Sequence, residues 1–127
     1  MIFVFDGNDK IIGGDGVDTL NGGAGPDEYA YTEVAEGGDI ISSFDTADIF
    51  VFKGSAFGGL AAGVLQASQL VVRVDNVVQD ANDRFIYNTV DDTLWFDSNG
   101  SAAGGPVLIA DLSNFAFDLA AGDVKII

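Results

Sequence analysis

Asp9, Asp18 and Asp27 stand nine residues apart, each two residues after a glycine (Gly7, Gly16, Gly25) and two before a large apolar side chain (Ile11, Leu20, Tyr29). From Gly13 the chain reads GGDGVDTLN and then GGAGPDEYA, two consecutive nonapeptides of the form G-G-x-G-x-D-x-U-x, with U apolar. The preceding nine residues, VFDGNDKII, keep Gly7, Asp9 and Ile11 but lack the paired glycines. The following nine, YTEVAEGGD, keep only an acid, Glu36, at the aspartate position. Carboxylates at this spacing, one per turn, point to a hard cation held by oxygen. Glycines such as Gly14, Gly16, Gly23 and Gly25 admit backbone conformations that turn carbonyl oxygens inward. One turn supplies too few oxygens for the six to eight that calcium takes, so a neighbouring turn must complete the shell.

Composition narrows the chemistry further. The 127 residues hold no Cys and no His, which removes disulfides, zinc-thiolate sites, thiol nucleophiles and the commonest general base. Twenty acidic residues stand against five basic ones. Such a surface repels nucleic acid and anionic membranes, so neither is expected as a partner. Only Glu28, Glu33 and Glu36 among the acids are Glu; the rest are Asp, the shorter acid that turns and metal loops favour. Self-repulsion among these groups should loosen the chain when no cation is present. The opening Ile2–Phe5 is too short for a signal-peptide core, and no apolar run approaches membrane-spanning length.

The elements needed to position the aspartates are short. The last residues of each nonapeptide should form a brief strand with its U side chain in a thin core. Strands are expected at Glu28–Thr32, Asp39–Asp45 and Asp48–Phe52, where polar and apolar residues alternate or cluster. Residues 54–68 are rich in small residues and read as a loop with a short helical turn near Leu65–Gln69. Further strands are expected at Gln69–Val74, Arg84–Tyr87, Thr93–Phe96 and Pro106–Ala110, with Asn88–Asp92 as a hairpin connection. They would form a sheet or small sandwich closing one end of the repeats.

Taken together, GGDGVDTLN and GGAGPDEYA resemble the repeats-in-toxin (RTX) family, whose tandem nonapeptides form a calcium-filled parallel β-roll. The resemblance implies an all-β chain: a short parallel β-roll over residues 1–36, capped by a mainly antiparallel sheet or sandwich over residues 37–127. It implies Ca²⁺ as the ligand, held by Gly7, Asp9, Gly14, Gly16, Asp18, Gly23, Gly25 and Asp27. One coil uses two nonapeptides, so the Asp9 turn should pair with the Asp27 turn. The Asp18 turn then needs a partner at Glu36, at Gly37-Gly38-Asp39, or in a coil upstream. Asp39, and less directly Asp45, would be terminal ligands beside the closing strands, although strand-end aspartates in solvent read equally well. The ending Asp123-Val124-Lys125-Ile126-Ile127 resembles the tail of type I secretion substrates, an acid followed by apolar residues, although a final edge strand reads equally well. The implied setting is extracellular, with the type I secretion machinery as a partner and an effector domain of a parent protein preceding this segment.

Other features compete for a role. Asp97-Ser98-Asn99-Gly100 resembles the opening of an EF-hand loop but no Glu closes it, so a plain turn is the default. Asp80, Asp83, Asp91 and Asp92 flank the hairpin as a solvated rim. Phe85, Tyr87, Trp95 and Phe96 could form a sugar-stacking platform for an adhesin or polysaccharide-binding module, but their alternation favours core packing. No carboxylate pair has a spacing that singles it out for catalysis, and no enzymatic activity is expected of this segment.

Overall fold

The structure, a computed structural model, describes residues 2–65, 69–73, 84–97, 106–112 and 119–127. It is nearly all-β: the described residues form twelve strands in two mixed sheets, with short 3₁₀ turns at Val34–Glu36 and Ala121–Asp123. The first six strands are Ile2–Phe3 (β1), Lys10–Ile11 (β2), Thr19–Asn21 (β3), Glu28–Tyr31 (β4), Asp39–Ile41 (β5) and Ile49–Phe52 (β6). They alternate between the sheets, odd strands in one and even strands in the other, and every pairing among them is parallel. Ile2 lies beside Leu20 and Lys10 beside Glu28, an offset of eighteen residues, or two nonapeptides. Thr19 lies beside Ile40 and Glu28 beside Ile49, an offset of twenty-one. The 3₁₀ turn at Val34–Glu36 falls within the lengthened unit and absorbs three extra residues without disturbing the stacking.

One side chain per unit fills the space between the sheets. Ile11, Leu20, Tyr29, Ile41 and Phe50 are all buried, each two residues after an aspartate. The thin aliphatic core widens into an aromatic one as the chain proceeds. Phe44 and Phe50 stack at 5.0 Å, and Phe52 meets both Phe57 and Phe85 at 4.7 Å. Phe57 meets Phe96 edge-on at 4.9 Å. Rings at these separations bring both apolar burial and favourable quadrupole geometry.

The remaining strands are Gly63–Val64 (β7), Leu70–Arg73 (β8), Phe85–Asn88 (β9), Thr93–Phe96 (β10), Val107–Asp111 (β11) and Val124–Ile126 (β12). They extend the two existing sheets instead of forming a separate closing layer. The larger sheet runs β1-β3-β5-β11-β10-β9-β8 and the smaller β2-β4-β6-β12-β7. The expected antiparallel character holds for β9–β10, β10–β11 and β12–β7. By contrast, β11 joins β5, β12 joins β6 and β8 joins β9 in parallel, so the region is mixed. The final strand is no edge: β12 is inserted between β6 and β7, with Val124 and Ile126 buried. Residues 54–59 are turns, and β7 follows within the stretch expected to be a loop with a short helical turn near Leu65–Gln69, of which residues 66–68 lie outside the described residues.

The β9–β10 hairpin forms where expected, with Asn88 opposite Thr93. Asp91 accepts from the Thr93 hydroxyl (2.6 Å), and Asp92 accepts from the Tyr87 hydroxyl (2.9 Å), so both acids brace the turn and do more than line a rim. Asp80, Asp83 and Ser98–Gly100 lie outside the described residues. Among the described residues, no helix is long and apolar enough to cross a membrane.

Candidate metal centre

The repeat aspartates line up in two rows, one on each side of the stacked strands. In the first row the Asp9 amide donates to Asp27 Oδ1 (3.0 Å), and the Asp27 amide donates to Asp48 Oδ1 (2.9 Å). In the second row the Asp18 amide donates to Asp39 Oδ1 (2.8 Å). The Asp9 and Asp27 turns are thus neighbours, as expected. Of the partners open to the Asp18 turn, the one present is Asp39. Glu36 is turned elsewhere: its carboxylate accepts from the Thr32 amide (2.6 Å), the Thr32 hydroxyl (2.8 Å) and the Glu33 amide (3.3 Å). Burial works against its charge, but those donors outweigh burial and hold its pKa below the ordinary carboxylate value.

The second carboxylate oxygens divide the five aspartates into two kinds. Oδ2 of Asp9, Asp18 and Asp27 is buried and has no hydrogen-bond partner. Asp39 Oδ2 instead accepts from the Tyr31 hydroxyl (3.0 Å), and Asp48 Oδ2 accepts from the Asp45 amide (2.9 Å). A buried carboxylate oxygen without a donor is costly, and three on successive turns form a pattern. Asp27, Asp39 and Asp48 are essentially inaccessible to solvent, at 1%, 0% and 0% exposure. Burial raises the pKa of all three, and that of Asp48 is pushed up to about 6. Backbone amides pull each back down, while neighbouring acids raise it further: Asp9 and Asp45 act on Asp27, and Asp18 and Glu36 act on Asp39.

The glycines complete the arrangement. Gly7, Gly14, Gly16, Gly23 and Gly25 all have positive φ, between 74° and 130°, a region that side chains with a Cβ rarely enter. Two further glycines are needed for space. A Cβ at Gly13 would lie 3.1 Å from Asp18 Oδ2, and one at Gly22 would overlap the Asp27 carboxylate. The orphan oxygens of Asp18 and Asp27 therefore sit against bare glycine backbone in their own turns. Neighbouring turns also touch directly: the Gly7 amide donates to the Ala24 carbonyl (3.0 Å), and a Cβ at Gly25 would strike the Gly7 carbonyl.

These residues suit a hard divalent cation. The side chains gathered here offer carboxylate oxygens from adjacent turns, the kind of ligand that calcium prefers over softer metals. Among the described residues no three acidic side chains converge on one point, so backbone carbonyls would have to supply most of a coordination shell.

Asp48 was missed by sequence reasoning, although its signal is present. The Asp-x-U triplet recurs as Asp39-Ile40-Ile41 and Asp48-Ile49-Phe50 after one gap of twelve residues instead of nine. Tyr31 and Asp45, which satisfy the last two aspartates, have no such signature. Among the other candidates, Asp45 is exposed and its Oδ1 accepts from the Ala47 amide (2.8 Å). Phe85, Tyr87 and Phe96 are buried. Trp95 is half-buried and donates through Nε1 to the Thr93 hydroxyl (2.7 Å), so no aromatic platform forms there. No pocket opens among the described residues. In comparisons with known proteins, no family model, curated protein or solved structure matches this chain.

Proposed function

We propose that this chain is a calcium-binding module of the repeats-in-toxin kind, a short parallel β-roll whose Gly/Asp turns close around Ca²⁺ and whose later strands cap the stack. The observation that carries this reading is the set of unpartnered, buried Oδ2 atoms on Asp9, Asp18 and Asp27. Each lies in a turn whose glycines hold positive φ. Asp9, Asp18 and Asp27 would be the carboxylate ligands, with the peptide carbonyls around Gly7, Gly14, Gly16, Gly23 and Gly25 as the neutral ones. Asp39 would contribute through the turn it shares with Asp18, since its Oδ1 already accepts the Asp18 amide. Bound calcium supplies positive charge where these carboxylates otherwise face one another in a desolvated space.

The biological setting follows from that dependence. Where calcium is scarce, the buried acids oppose closure of the turns and the chain stays loose enough to pass a narrow export channel. Where calcium is millimolar, the turns close. For a site of about 0.1 mM affinity, ~10 mM calcium contributes about 2.7 kcal/mol, a large share of a small domain's stability. The module would thus belong to a secreted protein exported by a type I system and fold after export, with any effector activity carried elsewhere. The test is calorimetric melting with calcium and with excess chelator. Calcium should raise Tm strongly, and replacing Asp9 and Asp27 together with Ala should remove most of the gain. Equal melting temperatures in the two conditions would refute the reading.

A further inference from the structure

The two complete nonapeptides place different residues at the U position, and the difference reaches the turn itself. In the first unit U is Leu20, and its Cδ2 lies 3.4 Å from where a Cβ on Gly13 would sit. In the second unit U is Tyr29, fully buried, and its hydroxyl extends back to the opening glycine of its own unit. The Gly22 amide is shared between Tyr29 Oη (3.0 Å) and Ser43 Oγ (2.9 Å), and the two hydroxyls lie 3.2 Å apart. On Gly22 itself, the space a Cβ would take is filled by the Asp27 carboxylate and Tyr29 Oη together. One peptide is therefore gripped by two hydroxyls, from residues 7 and 21 positions further along the chain, directly beside an orphan carboxylate oxygen.

From this triangle we infer that Tyr29 and Ser43 are positioning residues for cation binding at the Gly22–Asp27 turn, making it a pre-organised, tighter site than the Gly13–Asp18 turn. The inference rests on the calcium reading above and adds a specificity between turns to it. Holding Gly22 fixes its peptide plane and the wall against which Asp27 Oδ2 is placed before any ion arrives. Fixing the groups behind first ligands commonly changes metal affinity ten- to a hundredfold. Ser43 belongs to the segment after β5, so the grip also ties this turn to the following coil. The Gly13 turn has Leu20 in the corresponding place, and a leucine cannot make such a bond.

The test uses the whole chain, titrated with Ca²⁺ by calorimetry and with Tb³⁺ while tyrosine is excited. Ser43→Ala and Tyr29→Phe should each weaken the tighter site by about tenfold and leave the weaker one unchanged. Ser43→Thr, which keeps the hydroxyl, should restore it. Tyr29→Phe should also abolish most tyrosine-sensitised terbium emission from the tighter site, a signature that general loosening of the fold would not single out. Melting in chelator reports the fold separately and should move little for Ser43→Ala. Wild-type protein that binds no calcium would remove the proposed function and this inference together. Normal wild-type binding with both variants within twofold of it, or with both sites weakened equally, would overturn the inference alone.

Discussion

Replacing Asp27 by Asn should stabilise the protein in chelator and destabilise it in calcium, a reversal that a merely structural aspartate would not produce. Asn keeps an oxygen for the Asp9 amide, which now bonds Asp27 Oδ1 at 3.0 Å. What it removes is the charge on a side chain that is 1% exposed and whose other oxygen has no partner. Without an ion, that charge is opposed by desolvation and by Asp9 and Asp45. Leaving such a group unsatisfied costs about 1–3 kcal/mol, so relieving it should regain on the order of 1–2 kcal/mol. For a chain of this length that is a rise of roughly 4–8 °C in Tm. In ~10 mM calcium the same change removes a ligand, and the contribution forfeited is about 2.7 kcal/mol for a site of ~0.1 mM affinity. The assay is differential scanning calorimetry of both proteins in chelator and in calcium. Equal destabilisation in the two conditions would show that the Asp27 carboxylate serves the fold alone. An unchanged calcium increment would show that it is not a ligand.

Three further outcomes follow from the same geometry. Asp48 is pushed from its ordinary 3.8 up to about 6 in the folded protein, and Asp27 and Asp39 are shifted in the same direction. At these three groups the folded state holds protons that the unfolded chain releases, so in chelator their contribution to stability should be full below about pH 4 and decline as pH rises to about 6. Melts in chelator between pH 4 and pH 7 check the sign, and calcium affinity should fall with acidification over the same window. Gly25→Ala should cost more than Gly16→Ala, because both positions have positive φ but only Gly25 abuts the Gly7 carbonyl. Urea unfolding in calcium should give about 1–2 kcal/mol for Gly16→Ala, the strain alone, and roughly 3 kcal/mol or more for Gly25→Ala. Deleting Val124–Ile127 removes two buried side chains and bares the facing edges of β6 and β7. At about 1.5–3 kcal/mol per side chain, the truncated chain should lose cooperative melting even in calcium, as followed by near-ultraviolet circular dichroism.

What could be read from the residues is what repeats. The nine-residue recurrence of glycine, aspartate and an apolar residue marks the repeat, and the eighteen-residue parallel offset that its family resemblance implies is present where Ile2 lies beside Leu20 and Lys10 beside Glu28. The β9–β10 hairpin was legible because the turn residues Asn88–Asp92 sit between two aromatic-rich runs. Illegible was whatever depends on contacts far apart in sequence. Nothing local marks Val124–Ile126 as an interior strand, since a short apolar terminus suits an edge equally well. The continuation of the two rows to Asp39 and Asp48 was hidden by the three added residues around Val34–Glu36, which break the count without breaking the stack.

That insertion also explains where the pattern changes chemical character. In nonapeptides of constant length each turn sits over an equivalent one, and every carboxylate meets the same surroundings. The lengthened unit brings Glu36 back onto Thr32 and Glu33 and sets Tyr31 over Asp39, while Asp45 closes over Asp48. The oxygens left bare on Asp9, Asp18 and Asp27 are thereby met on Asp39 and Asp48 by a hydroxyl and an amide of the chain itself. A protein donor and a cation are alternative answers to one electrostatic problem, a buried carboxylate with an oxygen to spare. In this molecule the change from one answer to the other falls between Asp27 and Asp39, where the regular nine-residue spacing ends.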